Sequence, residues 1–404
     1  MRGLGRRLTL AAATLAGVSA GAVATLSLTG TEAARPAASA PVTTGPPTSV
    51  ETVATAPTTA RPPDRAPVLL VWTSGGLPVG LAEAVRALAG VEAVTVVSGD
   101  QTAMVRSAQD GLAVDDLADG WRIPLDTLAI DPGTFAPFLP GGPSATVGAL
   151  GPGEAVLTET SARLRRLGEG ARIELDGGTV TVAGVIDDLS GAGAELLVTT
   201  ADARAIGVDT ERYLLVRHTS PRAELERAIA QELRAGQAIR FRTPAETTWL
   251  RHGDAVEPNL LLKESFGEFA YRARSGRSVE VSPDWVTRWI VTEPVPILGE
   301  VTCHRKVMTP LRAALRELSD AGLGHLVDPA DFAGCYSARR IAAGEPLSHH
   351  AWGAALDLNV DGNPRGEFST QDRRLVDAMA SHGFTWGGAW LVPDPAHYEA
   401  PLPE

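Results

Sequence analysis

Lysine, cysteine and aromatic residues are scarce in this 404-residue sequence. Only Lys263 and Lys306 are lysines among 36 basic residues, and aromatic residues make up 5% of the chain. The net charge at pH 7 is -12, which excludes nucleic acid as the expected partner. Two cysteines cannot build an all-thiolate zinc site, which needs four. The length nevertheless provides for two domains with ample core.

The two cysteines, Cys303 and Cys335, admit two interpretations. In an oxidising compartment they form a disulfide that closes a loop of roughly 30 residues and contributes about 3–4 kcal/mol in the chain-entropy model. The alternative is a pair of unrelated buried thiols. We expect the disulfide.

The N-terminus predicts that the chain leaves the cytosol. Residues 1–7 carry three arginines and form a cytoplasmic tail, and residues 8–30 are an uncharged run. A run of this length spans a bilayer, whereas the apolar core of a signal peptide is usually shorter. We therefore expect a single-pass cell-membrane protein with its bulk extracytoplasmic, or a secreted one if the segment is cleaved. Residues 31–67, rich in Pro, Thr and Ala, are predicted to be a disordered linker.

Residues 68–245 are predicted to form an α+β domain. Short β-branched runs such as "VLLVW" and "RYLLVRH" indicate strands, and "ARIELDGGTVTVAGVI" indicates a hairpin that turns at Asp176-Gly177-Gly178. The segments "GVEAVTVVSG", "IDPGTFAPFLPGG" and "LLVTTADARAIG" resemble the extracytoplasmic core domain of ABC-type efflux and FtsX-like permeases. In such domains these pieces form a binding or coupling module without catalysis, so the resemblance implies a protein partner for this domain.

The region after residue 245 contains a pattern suited to a metal site. Ser348, His350, Gly353, Ala355 and Asp357 fit S-x-H-x-x-G-x-A-x-D. The alternation in "AALDLNV" places Asp357 on the open face of a strand, where a carboxylate can reach an imidazole in the preceding turn. Imidazole nitrogen and carboxylate oxygen suit Zn²⁺, and a catalytic zinc keeps three protein ligands and one open position.

The third ligand is expected from the end of the chain, where "WGGAWLVPDPAHYEA" offers His397. Asp394 lies three residues before it and can act as a general base. One histidine beside one aspartate is weak evidence for a metal site, because in most chains of this size such residues are structural. The joint pattern is more specific.

S-x-H-x-x-G-x-A-x-D, followed by W-G-G-x-W and D-x-x-H, resembles the zinc peptidases that include D-alanyl-D-alanine carboxypeptidases (VanY-like) and L-alanyl-D-glutamate endopeptidases. Their fold is similar to the hedgehog signalling domain. The resemblance implies an α+β domain over residues 246–404, with a small antiparallel sheet that carries one zinc ion, preceded by the separate α+β domain. It also implies the zinc ligands His350, Asp357 and His397.

The same resemblance implies roles for other residues. Asp394 matches the catalytic carboxylate, although other branches of the family carry a longer glutamate there. In "CYSARR", Arg339 matches the arginine that meets the substrate or the developing oxyanion, with Arg340 as the alternative. Ser348 is expected to bind the substrate or to serve only as a turn or cap residue. Trp386 is expected to bind substrate as a wall of the cleft, with a core position as the alternative.

Two residues near the motifs are expected to have supporting places. His349 falls outside the motif and is expected on the surface or behind the ligands. Glu399 is expected to support His397 or a neighbour through a hydrogen bond, with direct ligation of the metal as the alternative. Trp390, like Trp386, is open between a core position and a wall of the cleft.

Together, these observations predict a membrane-tethered metallopeptidase that hydrolyses the peptide stems of cell-wall peptidoglycan. The expected partners are a peptidoglycan peptide and, through the N-terminal segment, the membrane. The sequence does not separate a carboxypeptidase from an endopeptidase. The alternative is a non-catalytic cell-wall-binding or regulatory module that retains the peptidase fold.

Overall fold

The computed structural model describes residues 67–234, 236–254, 257–341 and 346–402. All of them fall in one compact unit, Pro62–Glu404. Helices and strands are mixed throughout, which confirms the predicted α+β class.

The predicted localisation, a single-pass membrane protein with an extracytoplasmic catalytic domain, is corrected by the structure. None of the helices in the described ranges is long and apolar enough to cross a membrane. Residues 1–7 and 8–30, the predicted tail and anchor, lie outside the described residues, as does the predicted linker apart from Pro67. The structure therefore gives no support to a single-pass anchor.

A ten-stranded sheet forms the first part of the described chain. Its strands are β1 (Val68–Thr73), β2 (Val91–Gln109), β3 (Leu112–Asp116), β4 (Ile123–Ile130), β5 (Glu154–Thr158), β6 (Arg172–Leu175), β7 (Gly178–Ile186), β8 (Leu196–Thr199), β9 (Glu211–His218) and β10 (Ile239–Arg242). The helices around it are α1 (Leu81–Arg86), α2 (Pro132–Phe135), α3 (Gly141–Gly148), α4 (Glu159–Arg165), α5 (Thr200–Ala203) and α6 (Arg222–Gln231).

Six strands of this sheet form a closed ring of pairings. β2 pairs with β4, and the order continues through β8, β5, β7 and β6, which pairs again with β2. The first half of β2 also pairs with β9, which leads on to β1 and β10. β2 can pair with β9 along its first half and with β4 and β6 further on because its 19 residues exceed the length of any single neighbour.

The predicted hairpin is present as β6 and β7. Leu175 pairs with Gly178, so Asp176 and Gly177 alone form the turn and Gly178 already belongs to the strand. A Cβ at Gly177 would lie 1.9 Å from the carbonyl oxygen of Ala205. Only glycine allows the backbone to approach this closely.

The second part of the described chain carries smaller elements. Its helices are α7 (Asn259–Phe266), α8 (Pro283–Trp289), α9 (Met308–Asp320) and α10 (Arg373–Ser381). Its strands are β11 (Tyr271–Ala273), β12 (Val279–Val281), β13 (Ile290–Val295), β14 (Gly299–His304), β15 (Phe332–Gly334), β16 (Ala355–Leu358), β17 (Thr385–Trp386) and β18 (His397–Glu399).

The largest sheet described in this part is four-stranded and antiparallel, in the order β15-β16-β18-β17. Leu356 and Leu358 are fully buried in the core, whereas Asp357 between them is only partly buried. The alternation predicted for β16 is therefore present, and it leaves the carboxylate on the face opposite the core.

Cys303 at the end of β14 and Cys335 just after β15 form the predicted disulfide, with a Cα–Cα distance of 5.3 Å. Both cysteines are buried in the core that α9 and α10 cover. The bridge ties the β13–β14 hairpin to the loop that leads into the candidate site.

Candidate metal centre and cleft

Three side chains converge on the open face of the four-stranded sheet. His350, Asp357 and His397 each offer one ligand atom, and these atoms all lie within 4.8 Å of one another. Asp357 and His397 face each other in the β16–β18 register, and His397 Nδ1 lies 2.9 Å from Asp357 Oδ1. His350 comes from the short 3₁₀ helix 349–352, and its Nε2 lies 3.2 Å from Asp357 Oδ2.

The tautomer of His350 follows from its hydrogen bond. The ring Nδ1 lies 2.8 Å from the carbonyl oxygen of Cys335, which can only accept, so Nδ1 carries the proton. Nε2 is then the ring nitrogen that can face a metal ion. It is buried and, despite its proximity to Asp357, has no hydrogen-bond partner of acceptable geometry among the described residues. A buried lone pair aimed at a carboxylate and a second imidazole fits a metal ligand.

The charges around His397 favour a cation at this place. Burial alone would lower the pKa of His397, but its contacts with Asp357 and Glu399 outweigh burial and raise it to about 9. Burial would raise the pKa of Asp357, but the close contacts with the His350 and His397 rings hold it well below its ordinary value. Two carboxylates therefore stabilise one positive charge, which is either a proton on His397 or a metal ion.

Asp394 lies in the turn that leads into β18. Its carbonyl oxygen accepts the backbone N–H of His397, and its own N–H donates to Gly387 of the W-G-G-x-W motif. A Cβ at Gly387 would lie 2.7 Å from the Asp394 carbonyl oxygen, so the motif requires glycine there. Burial raises the pKa of the Asp394 carboxyl, and the charge of Asp357 adds to this against the opposing charge of His397. Such a group suits proton transfer.

The two arginines of "CYSARR" have different surroundings. Arg339 lines the cleft, with Nη2 3.7 Å from Asp357 Oδ2. Arg340 lies over the ring of Tyr271. Ser348 is buried, also lines the cleft and caps the 3₁₀ helix, accepting the N–H of His350 at 3.4 Å.

The two tryptophans of W-G-G-x-W have different surroundings, one at the core and one at the cleft. Trp386 packs against the hydrophobic core, and its Nε1 donates to the Pro395 carbonyl at 2.8 Å. It is not among the residues that line the cleft in the described chain. Trp390 does line it, with its ring centroid 5.2 Å from that of His397.

Sequence reasoning missed much of the cleft. Its volume is about 450 Å³, and one wall comes from the ten-stranded sheet and the segment after it. The residues of that wall include Trp72, Asp100, Gln101, Asp126, Arg212, His252 and Asn259. No motif marked them. His349 and Glu399, placed in supporting roles, contact each other at 2.8 Å, and Glu399 lies 3.8 Å from His397.

Two imidazoles and one carboxylate form a donor set found in catalytic zinc centres, and a nearby carboxyl group of raised pKa can supply the general base. A family model described as D-alanyl-D-alanine carboxypeptidase matches residues 342–400, which contain all of these groups. The C-terminal region is thus similar to a family of zinc-dependent peptidases, and the resemblance predicted from the motifs is confirmed. The match is short relative to the chain. No curated protein matches the sequence.

Two solved structures, both domains of ABC-type transport proteins, are similar to part of the chain. The periplasmic region of MacB from Actinobacillus actinomycetemcomitans is 10% identical, with a TM-score of 0.31, covering 44% of this chain and 88% of that one. The extracellular domain of the noncanonic ABC-type transporter YknZ from Gram-positive bacteria is 11% identical, with a TM-score of 0.27, covering 40% and 88%. Similarities at this level carry no information about function.

Proposed function

We propose that this chain is a zinc-dependent peptidase that hydrolyses the peptide stems of peptidoglycan, with the chemistry of a D-Ala-D-Ala carboxypeptidase. The observation that carries the proposal is the convergence of His350, Asp357 and His397 beside Asp394, inside the region that the peptidase family model matches. We also propose that residues 246–404 form the peptidase domain and that residues 68–245 form a separate α+β domain before it.

In the proposed mechanism His350, Asp357 and His397 would hold one zinc ion. When bound, the ion polarises the scissile carbonyl and lowers the pKa of water towards about 7. Asp394 accepts a proton from the attacking water and delivers it to the leaving amine. The raised pKa of the Asp394 carboxyl supports this role, because a base that must also act as an acid works best with a pKa near the working pH.

Arg339 is proposed to stabilise negative charge on the substrate, either a free carboxylate or the oxygen of the attacked carbonyl. Its position beside Asp357 supports this role, and an arginine can donate two parallel hydrogen bonds to a carboxylate. Ser348 is proposed to contact the peptide backbone from its position in the cleft. Trp390 takes the place that Trp386 was expected to fill, because it is Trp390 that lines the cleft.

Asp394→Asn tests the proposal, because it separates metal binding from chemistry. The variant keeps the three ligands, so it should retain zinc as measured by mass spectrometry under native conditions. Its rate of stem-peptide hydrolysis should fall about 100-fold or more, the usual contribution of general acid–base catalysis. A variant with full activity would refute the role of Asp394.

A further inference from the structure

The segment that carries the ligand His350 is held by side chains outside the region that the family model matches. The Leu347 N–H donates to Gln101 Oε1 at 3.0 Å. His349 Nε2 lies 3.0 Å from Asn259 Oδ1. Gln101 is on β2 and Asn259 is the first residue of α7. Both hydrogen bonds reach residues within three positions of His350.

These two contacts meet at Asp126 on β4. Gln101 Nε2 donates to Asp126 Oδ1 at 3.1 Å, and Asn259 Nδ2 donates to both carboxylate oxygens at 3.1 and 2.9 Å. Gln101 and Asp126 are direct partners in the β2–β4 register, so the sheet itself fixes their separation. We call Gln101, Asp126 and Asn259 the clamp.

The amide orientations follow from Asp126. A carboxylate only accepts, so each amide turns its nitrogen towards Asp126 and its oxygen towards the 347–349 segment. Asn259 Oδ1 therefore faces the His349 ring as an acceptor, 3.0 Å from Nε2. The other ring nitrogen of His349 lies 2.8 Å from Glu399 Oε1. Both edges of the His349 ring are thus held, one by the clamp and one by β18.

We propose that the clamp is a positioning device for the metal centre, so that the ten-stranded sheet is a required part of the site and not only a neighbouring domain. Gln101 and Asn259 hold Leu347 and His349, and through them the turn that presents His350 Nε2 to Asp357. Outer partners that orient metal ligands typically change metal affinity 10–100-fold when removed. The inference rests on the proposed metal site, but not on the proposed substrate.

The test is zinc affinity of the full-length protein, measured by competition with a chromophoric chelator. Gln101→Met and Asn259→Ala should each raise the zinc Kd about tenfold or more. Gln109→Ala is the matched control, because Gln109 is also an amide on β2 that bridges to backbone, at Gly168 and Glu169, and does not line the cleft. It should leave the zinc Kd unchanged. If Asn259→Ala fails to fold, Gln101→Met carries the test.

A double-mutant cycle shows whether Asn259 acts through His349. If it does, Asn259→Ala added to His349→Ala should change the zinc Kd by less than about twofold, because the contact is already lost. Full additivity would mean that Asn259 serves general packing, and it would overturn this route. Unchanged zinc affinity in both clamp variants would overturn the inference as a whole.

The outcomes separate this inference from the proposed function. A wild-type protein that binds zinc tightly but cleaves no stem peptide refutes the function and leaves the clamp to be judged by zinc affinity. A wild-type protein that cleaves the peptide, with clamp variants of normal zinc affinity, refutes the clamp alone. A wild-type protein that binds no zinc overturns both.

Discussion

Replacing Cys303 and Cys335 together by alanine should weaken both the fold and the metal centre. The bridge joins residues 32 positions apart. In the chain-entropy model, freeing a loop of this length costs about 3.7 kcal/mol of the free energy of unfolding at 25 °C. The loss is measured by denaturant titration followed through tryptophan fluorescence. A loss below about 1 kcal/mol would show that loop closure by the disulfide does not stabilise the fold in this way.

The same variant should bind zinc more weakly, because the Cys335 carbonyl is the group that orients His350 through Nδ1. We expect a zinc Kd raised by about tenfold. Leu311→Ala is the matched control. Leu311 is fully buried on α9, and its truncation costs about 2–5 kcal/mol through a cavity, without a contact to the site. Equal zinc affinity in the cysteine variant and the wild type would show that the disulfide acts on stability alone.

Three further predictions concern single groups. His350→Ala should lose zinc, whereas His382→Ala, which removes a partly exposed contact with Glu317, should not; metal content after dialysis decides this. In the metal-free protein the pKa of His397 is raised to about 9, so below that pH zinc must displace a proton from the ring. The zinc affinity should therefore rise about tenfold per pH unit from about pH 7 to 9 and then level off. A zinc affinity that does not change with pH in a chelator competition series would contradict the contacts of His397 with Asp357 and Glu399. Gly353→Ala should destabilise the fold by about 1–3 kcal/mol in thermal unfolding, because φ is +62° and a Cβ would lie 2.6 Å from the His304 nitrogen; a loss within about 0.5 kcal/mol would refute this.

Local signals in the sequence predicted much of the fold. The turn of the β6–β7 hairpin and the alternation around Asp357 both depend on residues close together in the chain. The extent of β2 was not predictable in this way. Ser98-Gly99-Asp100 has the composition of a turn, yet the strand continues through it because β4 pairs with these positions, Gly99 opposite Leu128 and Asp100 opposite Thr127. Long-range pairing decided the outcome.

In the candidate site, too, local motifs predicted some residues and long-range packing determined the others. The S-x-H-x-x-G-x-A-x-D and D-x-x-H motifs are local, and the family resemblance that they carry predicted His350, Asp357 and His397 as ligands. The structure brings these three side chains together, and their role as ligands stays a prediction. The sequence motif led us to expect Trp386 as a wall of the cleft, and only packing showed that Trp390 lines it. The contact from Gln101 to Leu347 spans 246 positions, and no pattern in the chain marks it.

Hydrolysis of a pentapeptide stem that ends in D-Ala-D-Ala is the decisive measurement for the proposed peptidase. The full-length protein is incubated with the peptide in the presence of zinc and after chelation, and the products are identified by mass spectrometry. We expect zinc-dependent release of the terminal D-Ala, lost in His350→Ala and retained in His382→Ala. An intact peptide in the presence of demonstrably bound zinc would contradict the proposed function.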